Sequence, residues 1–214
     1  MSAVAAVSFD PATHVYRDAA GRVLPGVTTI IDSVIRKPAL EIWRGRIGNE
    51  AADARRDSAA KRGTLVHLLA EMHTGQVPEL PIGAEPDAAA VSAFEVWYET
   101  YVEQLIFAEH PVVNERYGYA GTLDYLLILK GDQHPTLVDL KTSASLWPEM
   151  RYQCAAYAEA AREMGLLKGR YRRGILHIPE GAETARFVEQ TDHAADWQGF
   201  LSCLYLYNDL KRGI

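Results

Sequence analysis

The 214-residue chain has only two cysteines, Cys154 and Cys203. Both fall in stretches patterned as helix, which leaves no disulfide framework, four-cysteine zinc site or iron–sulfur cluster to be built, so they read as buried thiols. Long apolar runs are missing too: nothing approaches about eighteen uncharged apolar residues, the minimum for a membrane span. The opening "MSAVAAVSFD" has neither the basic region nor the long apolar core of a signal peptide, so a cytoplasmic location is expected. No Gly-x-x-x-x-Gly-Lys-Ser/Thr phosphate loop occurs, which excludes a nucleotide-driven motor of that type. Positive charge is not in excess either. A net charge of −6 removes a chain-wide electrostatic grip on nucleic acid, while a local basic surface stays open. No Ser/Gly-rich or Pro-rich linker divides the sequence, so one domain over 1–214 is expected.

What is present is ordinary for a folded chain: 48% hydrophobic and 23% charged residues. "HVYRDAAGRVLPGVTTII" reads as a hairpin turning at Asp18–Gly21, within an N-terminal piece 1–35, with a helix beginning near Ile31. The Ala/Leu/Glu/Arg-rich stretch from Leu40 to His73 predicts two or three helices, broken at Gly48 and Gly63, inside a helical region 36–105. "GQVPELPIGAEP" predicts a loop, and Asp87 the N-cap of a helix over "DAAAVSAFEVWYETYVEQ". Three strands then follow through "PTLVDLKTS", a helix opened by Pro148 and ended by Gly165, two more strands, and a last helix over about 194–211. On that helix Trp197, Phe200, Leu201, Leu204 and Tyr205 are expected on the core side. The order predicts an α/β fold, a mixed central sheet flanked by helices, with a core over 106–190 and a C-terminal helix over 191–214.

Within "GTLDYLLILKGDQHPTLVDLKTS" two apolar strands are interrupted by charge. Side chains alternate along a strand, so Leu137, Asp139 and Lys141 share one face. An acid and a base there are costly to bury unless paired or bound to something. A return through "KGDQHP" brings the strand with Asp124 beside the one with Asp139, and two converging carboxylates are best tolerated around a divalent cation. Mg2+ or Mn2+ held by oxygen, with Lys141 beside it, is a set of groups suited to phosphodiester hydrolysis. A cross-strand ion pair is the plainer alternative. Gly121 is expected to let another group approach the backbone closely.

"GTLD", fourteen residues, "DLK" and then "YQCAAYAEA" resemble the PD-(D/E)XK nuclease superfamily, in particular its RecB-type and phage-exonuclease branch. The resemblance covers about 62–165. It implies a restriction-endonuclease-like core, metal carboxylates at Asp124 and Asp139, a catalytic lysine at Lys141, and a helix motif at Gln153 and Tyr157. "RGTLVHLLAE" matches an upstream Gly-Thr-x-x-His pattern and implies His67 as a further ligand, whose nitrogen favours Mn2+ over Mg2+. An additional glutamate is implied on the preceding strand, at Glu109 first and Glu115 second. Without a cysteine set, the likeness is to the branch that lacks an iron–sulfur cluster. Arg62, Lys168, Arg170, Arg172 and Arg173 are the cations expected to contact nucleic acid, the last four around Tyr171, and without a phosphate loop any helicase or recombination partner is expected to be a separate protein. The reading is a metal-dependent DNA nuclease, an exonuclease acting on ends or single strands; the alternative is a catalytically inactive nucleic-acid-binding or assembly module on the same fold.

Overall fold

The computed structural model describes residues 7–10, 13–75 and 87–212. A small antiparallel sheet comes first, built from β1 (Ser8–Asp10), β2 (Val15–Arg17) and β3 (Val23–Leu24). Asp18 closes the β2–β3 turn, its carboxylate accepting from Ala20 N, Arg22 N and Arg22 Nε. Helices α1 (Val27–Val34), α2 (Pro38–Ile47), α3 (Asn49–His73) and α4 (Ala88–Tyr101) follow. The body of the molecule is a second sheet of β4 (Val102–Asn114), β5 (Tyr119–Leu129), β6 (Pro135–Lys141), β7 (Arg172–His177) and β8 (Arg186–Glu189), in that spatial order. All neighbours are antiparallel except β6 and β7, which are parallel and joined through α5 (Glu149–Glu163). Helix α6 (His193–Arg212) completes the chain. This is the mixed α/β architecture expected.

The two faces of the large sheet hold separate apolar cores. On one, Val27, Ile30 and Ile31 of α1, Ala156, Tyr157, Ala158, Ala160 and Ala161 of α5 and Phe200, Cys203, Leu204 and Tyr207 of α6 pack on Leu123, Leu126 and Leu137. On the other, Val66 and Ala70 of α3 and Ala90, Ala93, Phe94 and Trp97 of α4 pack on Tyr125, Leu127, Val138 and Leu140. Both cysteines are free and buried, as expected.

Three boundaries and one burial assignment depart from the sequence reading. Helix α1 starts at Val27 rather than near Ile31, because Val27, Ile30 and Ile31 already form one buried stripe. Helix α3 runs unbroken through Gly63, which lacks a side chain where the helix passes Thr142: a Cβ there would lie 3.2 Å from Oγ1. Helix α4 keeps its Asp87 N-cap, which accepts from Ala90 N at 3.1 Å, but ends at Tyr101, since Val102 and Gln104 are captured by pairing with Leu129 and Ile128. Tyr205 is 68% exposed, and Cys203 and Tyr207 take its place on the buried side of α6. The loop expected over 75–86 lies, from 76 onward, outside the described residues.

Candidate active site

The β5–β6 hairpin carries the first three residues of the site. Its registered pairs run from Ile128 and Pro135 up to Tyr125 and Val138. Beyond that pair, the Asp124 carboxylate accepts from Leu140 N–H at 2.6 Å, so a side chain satisfies a β6 backbone donor. Asp139 is fully buried and lies beside Lys141, with Nζ 2.7 Å from Oδ2.

His67 comes from α3. Its Nε2 lies 3.2 Å from the carbonyl oxygen of Leu140, the residue whose N–H is held by Asp124. With Nε2–H donating to that carbonyl, Nδ1 is turned toward Glu109 Oε1 at 3.5 Å and Asp124 Oδ2 at 4.0 Å. One donor atom from each of His67, Glu109 and Asp124 lies within 4.8 Å of the others, a spacing that suits a single divalent ion. Glu109 reaches this position through strain. It is a non-glycine residue at φ 45° inside β4, a left-handed conformation that side chains disfavour and that concentrates at functional positions.

Burial and charge set the protonation of these groups. For His67, burial opposes the charged form, but the carboxylates of Asp124 and Glu109 outweigh it and lift the imidazole to about 9. Burial raises Asp124 and lifts Asp139 to about 6, against the pull of His67 and Lys141 respectively. Lys141 also loses hydration, yet Asp139 and Asp124 hold its pKa above the ordinary value, so its amine is a cation at neutral pH. Buried Glu109 Oε1 and Asp139 Oδ1 make no well-formed hydrogen bond, while Asp139 Oδ2 is held by the Lys141 ammonium. Orphaned buried acceptors beside an imidazole nitrogen and a further carboxylate fit a divalent cation.

Asp139 nevertheless stands outside the group of three close donors. The ligand set expected from sequence, His67, Asp124, Asp139 and Glu109, thus divides: three residues converge, and Asp139 is occupied by Lys141. Glu115 is exposed at the end of β4, its N–H on Glu163, and belongs to no such group.

Gln153 and Tyr157 share a face of α5, and Gln153 Nε2 donates to Tyr157 Oη at 3.0 Å. Both are buried, and the Tyr157 ring is what approaches Gly121: a Cβ there would sit 2.5 Å from Cε1. The pair therefore backs the strand that carries Asp124.

The expected nucleic-acid cations do not form one surface. Arg173 is 2% exposed and bonded to Asp196 Oδ2, so burial withdraws it from any contact with nucleic acid. Arg172 is committed to Asp132 and Glu189. Arg62 is bonded to Asp87 and to the carbonyls of Thr142 and Ile178. Lys168 and Arg170 are exposed just before β7. Because Thr136 pairs with Arg172 and Lys141 with His177, that end of β7 lies about 17 Å along the strand from the lysine.

Two features were missed from sequence. Glu71, one helical turn beyond His67, is raised by burial and feels the charges of His67 and Asp124; its i, i+4 spacing was the available signal. Tyr16 of the small sheet bonds Thr122 Oγ1 through Oη at 2.9 Å and lies in the field of Glu109 and Asp124. No local pattern signals a contact across 106 positions.

No family model and no curated protein matches the chain. Among solved structures, one similar chain is the crystal structure of a "Putative exonuclease" from Eubacterium rectale. It is 16% identical with a TM-score of 0.47, and the match covers 68% of this chain and 64%, less than two thirds, of that one. Among the described residues no helix is long and apolar enough to cross a membrane.

Proposed function

We propose that this protein is a divalent-metal-dependent deoxyribonuclease that hydrolyses phosphodiester bonds at DNA ends or in single strands. The observation that carries the reading is the convergence of one donor atom each from His67, Glu109 and Asp124 to within 4.8 Å, beside an Asp139–Lys141 pair at 2.7 Å. Donors of this kind would hold Mg2+ or, given the imidazole, preferentially Mn2+, and such an ion supplies Lewis-acid activation of water and charge neutralisation at phosphorus. The chain's own residues do the rest. Leu140 fixes the two ligands from both sides, its carbonyl receiving His67 and its N–H given to Asp124. Lys141, kept cationic by Asp139, orients the attacking water and stabilises negative charge developing on the phosphoryl oxygens. Gln153 and Tyr157 hold the Asp124 strand in place from behind. The preference for DNA ends or single strands rests on the resemblance of the "GTLD", "DLK" and "RGTLVH" segments to the RecB-type and phage-exonuclease branch.

The test is incubation of purified protein with end-labelled single- and double-stranded DNA in Mn2+, Mg2+ or EDTA, using 5′- and 3′-blocked substrates. Cleavage in metal, none in EDTA, and a loss of about 100-fold or more in Lys141→Ala are expected. Product formed without metal, or full activity in Lys141→Ala, would overturn the assignment. DNA binding without cleavage under any condition would establish the inactive binding module instead.

A further inference from the structure

Arg62 precedes His67 on α3 by five residues, and its side chain is 15% exposed. Its guanidinium reaches three separate parts of the fold: Nε donates to Asp87 Oδ2 at 2.6 Å, Nη1 to Thr142 O at 3.0 Å and Nη2 to Ile178 O at 3.4 Å. The two carbonyls are the informative partners. The last registered pair of the parallel β6–β7 ladder is Lys141 with His177, and Ile178 N closes it onto Lys141 O at 2.8 Å. Thr142 and Ile178 lie one residue beyond, where neither carbonyl has a further strand to meet. Arg62 therefore caps the parallel pair at the end that presents Lys141, with a planar fork that an ammonium group cannot reproduce.

Two neighbouring features show that this contact is built. At Gly63 a Cβ would lie 3.2 Å from Thr142 Oγ1, so the helix comes close to the turn after Lys141 at the next residue along. Asp87 divides its carboxylate, Oδ1 capping α4 through Ala90 N and Oδ2 holding Arg62, which anchors the guanidinium to a second helix. His67 and Lys141 belong to different elements, and their separation is fixed by the direct contact of His67 with Leu140 O and by this second brace five residues earlier on the same helix.

We propose that Arg62 is a positioning residue: through Thr142 and Ile178 it sets the Lys141 amine relative to the His67, Glu109 and Asp124 donors. Its work is therefore internal to the site, and it makes no contact with the nucleic-acid backbone. The inference rests on the nuclease reading for its catalytic consequence, though the brace itself does not.

The experiment compares Arg62→Lys and Asp87→Asn, which loosen the brace from its two sides, with Lys61→Ala, its exposed neighbour. In steady-state DNA cleavage, kcat is expected to fall about 10-fold or more in Arg62→Lys and less in Asp87→Asn, with KM and the salt dependence of KM unchanged. A phosphate-contacting arginine would behave oppositely: KM would rise, and the log–log salt slope would drop by about one unit. That result, or wild-type kinetics in Arg62→Lys, overturns the proposal. A second readout is independent of cleavage: the 13Cε resonance of Lys141 should shift in Arg62→Lys and Asp87→Asn and stay in place in Lys61→Ala. If the wild-type chain cleaves no DNA, the nuclease reading falls while this resonance alone decides the brace, and an unmoved signal refutes it.

Discussion

Replacing Gly121 with alanine tests how the α5 motif is coupled to the Asp124 strand. The added Cβ would lie 2.5 Å from Tyr157 Cε1, 3.2 Å from Cδ1 and 3.4 Å from Val27 Cγ2. The first distance is about 1 Å inside normal carbon–carbon contact, so ring or strand must move. Ring movement is opposed on two sides. Tyr157 is 5% exposed within the larger core, and its hydroxyl is held by Gln153 at 3.0 Å. Overpacking at such a site costs about 1–3 kcal/mol. For a domain of this size each kcal/mol lowers Tm by about 2–4 °C, so a decrease of ~2–12 °C is expected. The decisive assay is a double-mutant cycle by urea unfolding. In a Tyr157→Leu background the clashing ring edge is gone, and Gly121→Ala should then be nearly neutral, giving a coupling of about 1–3 kcal/mol. Equal cost in both backgrounds would refute the idea that Tyr157 is what requires glycine at 121.

Three further outcomes follow from the site and its surroundings. In metal-free protein the His67 pKa, about 9 and thus above its unfolded value, contributes stability that is complete below pH ~6.5 and disappears as pH rises through 9; urea unfolding should show this decline in the wild type and not in His67→Gln, and a flat wild-type profile would contradict it. Asp196→Ala strands the buried Arg173 guanidinium and should cost about 3–5 kcal/mol, most of it recovered in Arg173→Met/Asp196→Leu; equal loss in single and double variants by urea titration would contradict the pairing. Glu109→Gly relieves about 1–2 kcal/mol of left-handed strain against about 0.5–1 kcal/mol of added chain entropy, so stability in EDTA should hold to within about 1 kcal/mol while Mn2+ affinity, read by calorimetry, falls at least about tenfold.

Elements with a strong local period were legible in the sequence, and contacts that depend on tertiary geometry were not. Alternation along "TLVDLK" was enough to place Asp139 beside Lys141, and in the structure the two atoms are 2.7 Å apart. The hairpin return was enough to bring Asp124 to β6, although its bond is to Leu140 N rather than to a shared set of ligands with Asp139. Arg173 was misjudged because a basic run carries no sign of burial; its partner Asp196 lies 23 residues onward, in helix α6. The α4 boundary was misplaced because Val102 and Gln104 fit either state locally, and only pairing with β5 decides. Gly63 misled for a related reason: its lack of a side chain serves a neighbour, Thr142, and the helix continues through it.

The bond between Tyr16 and Thr122 has a consequence for biosynthesis. A ribosome adding about 5–20 residues per second needs ~5–20 s to extend the chain from position 16 to position 122, whereas a hairpin forms in about 1–10 μs. The Gly26–Ala120 bridge imposes a similar delay. Throughout that interval the early ribbon is complete but has nowhere to dock, and the stacked rings of Phe9 and Tyr16 await a landing surface that translation has yet to deliver.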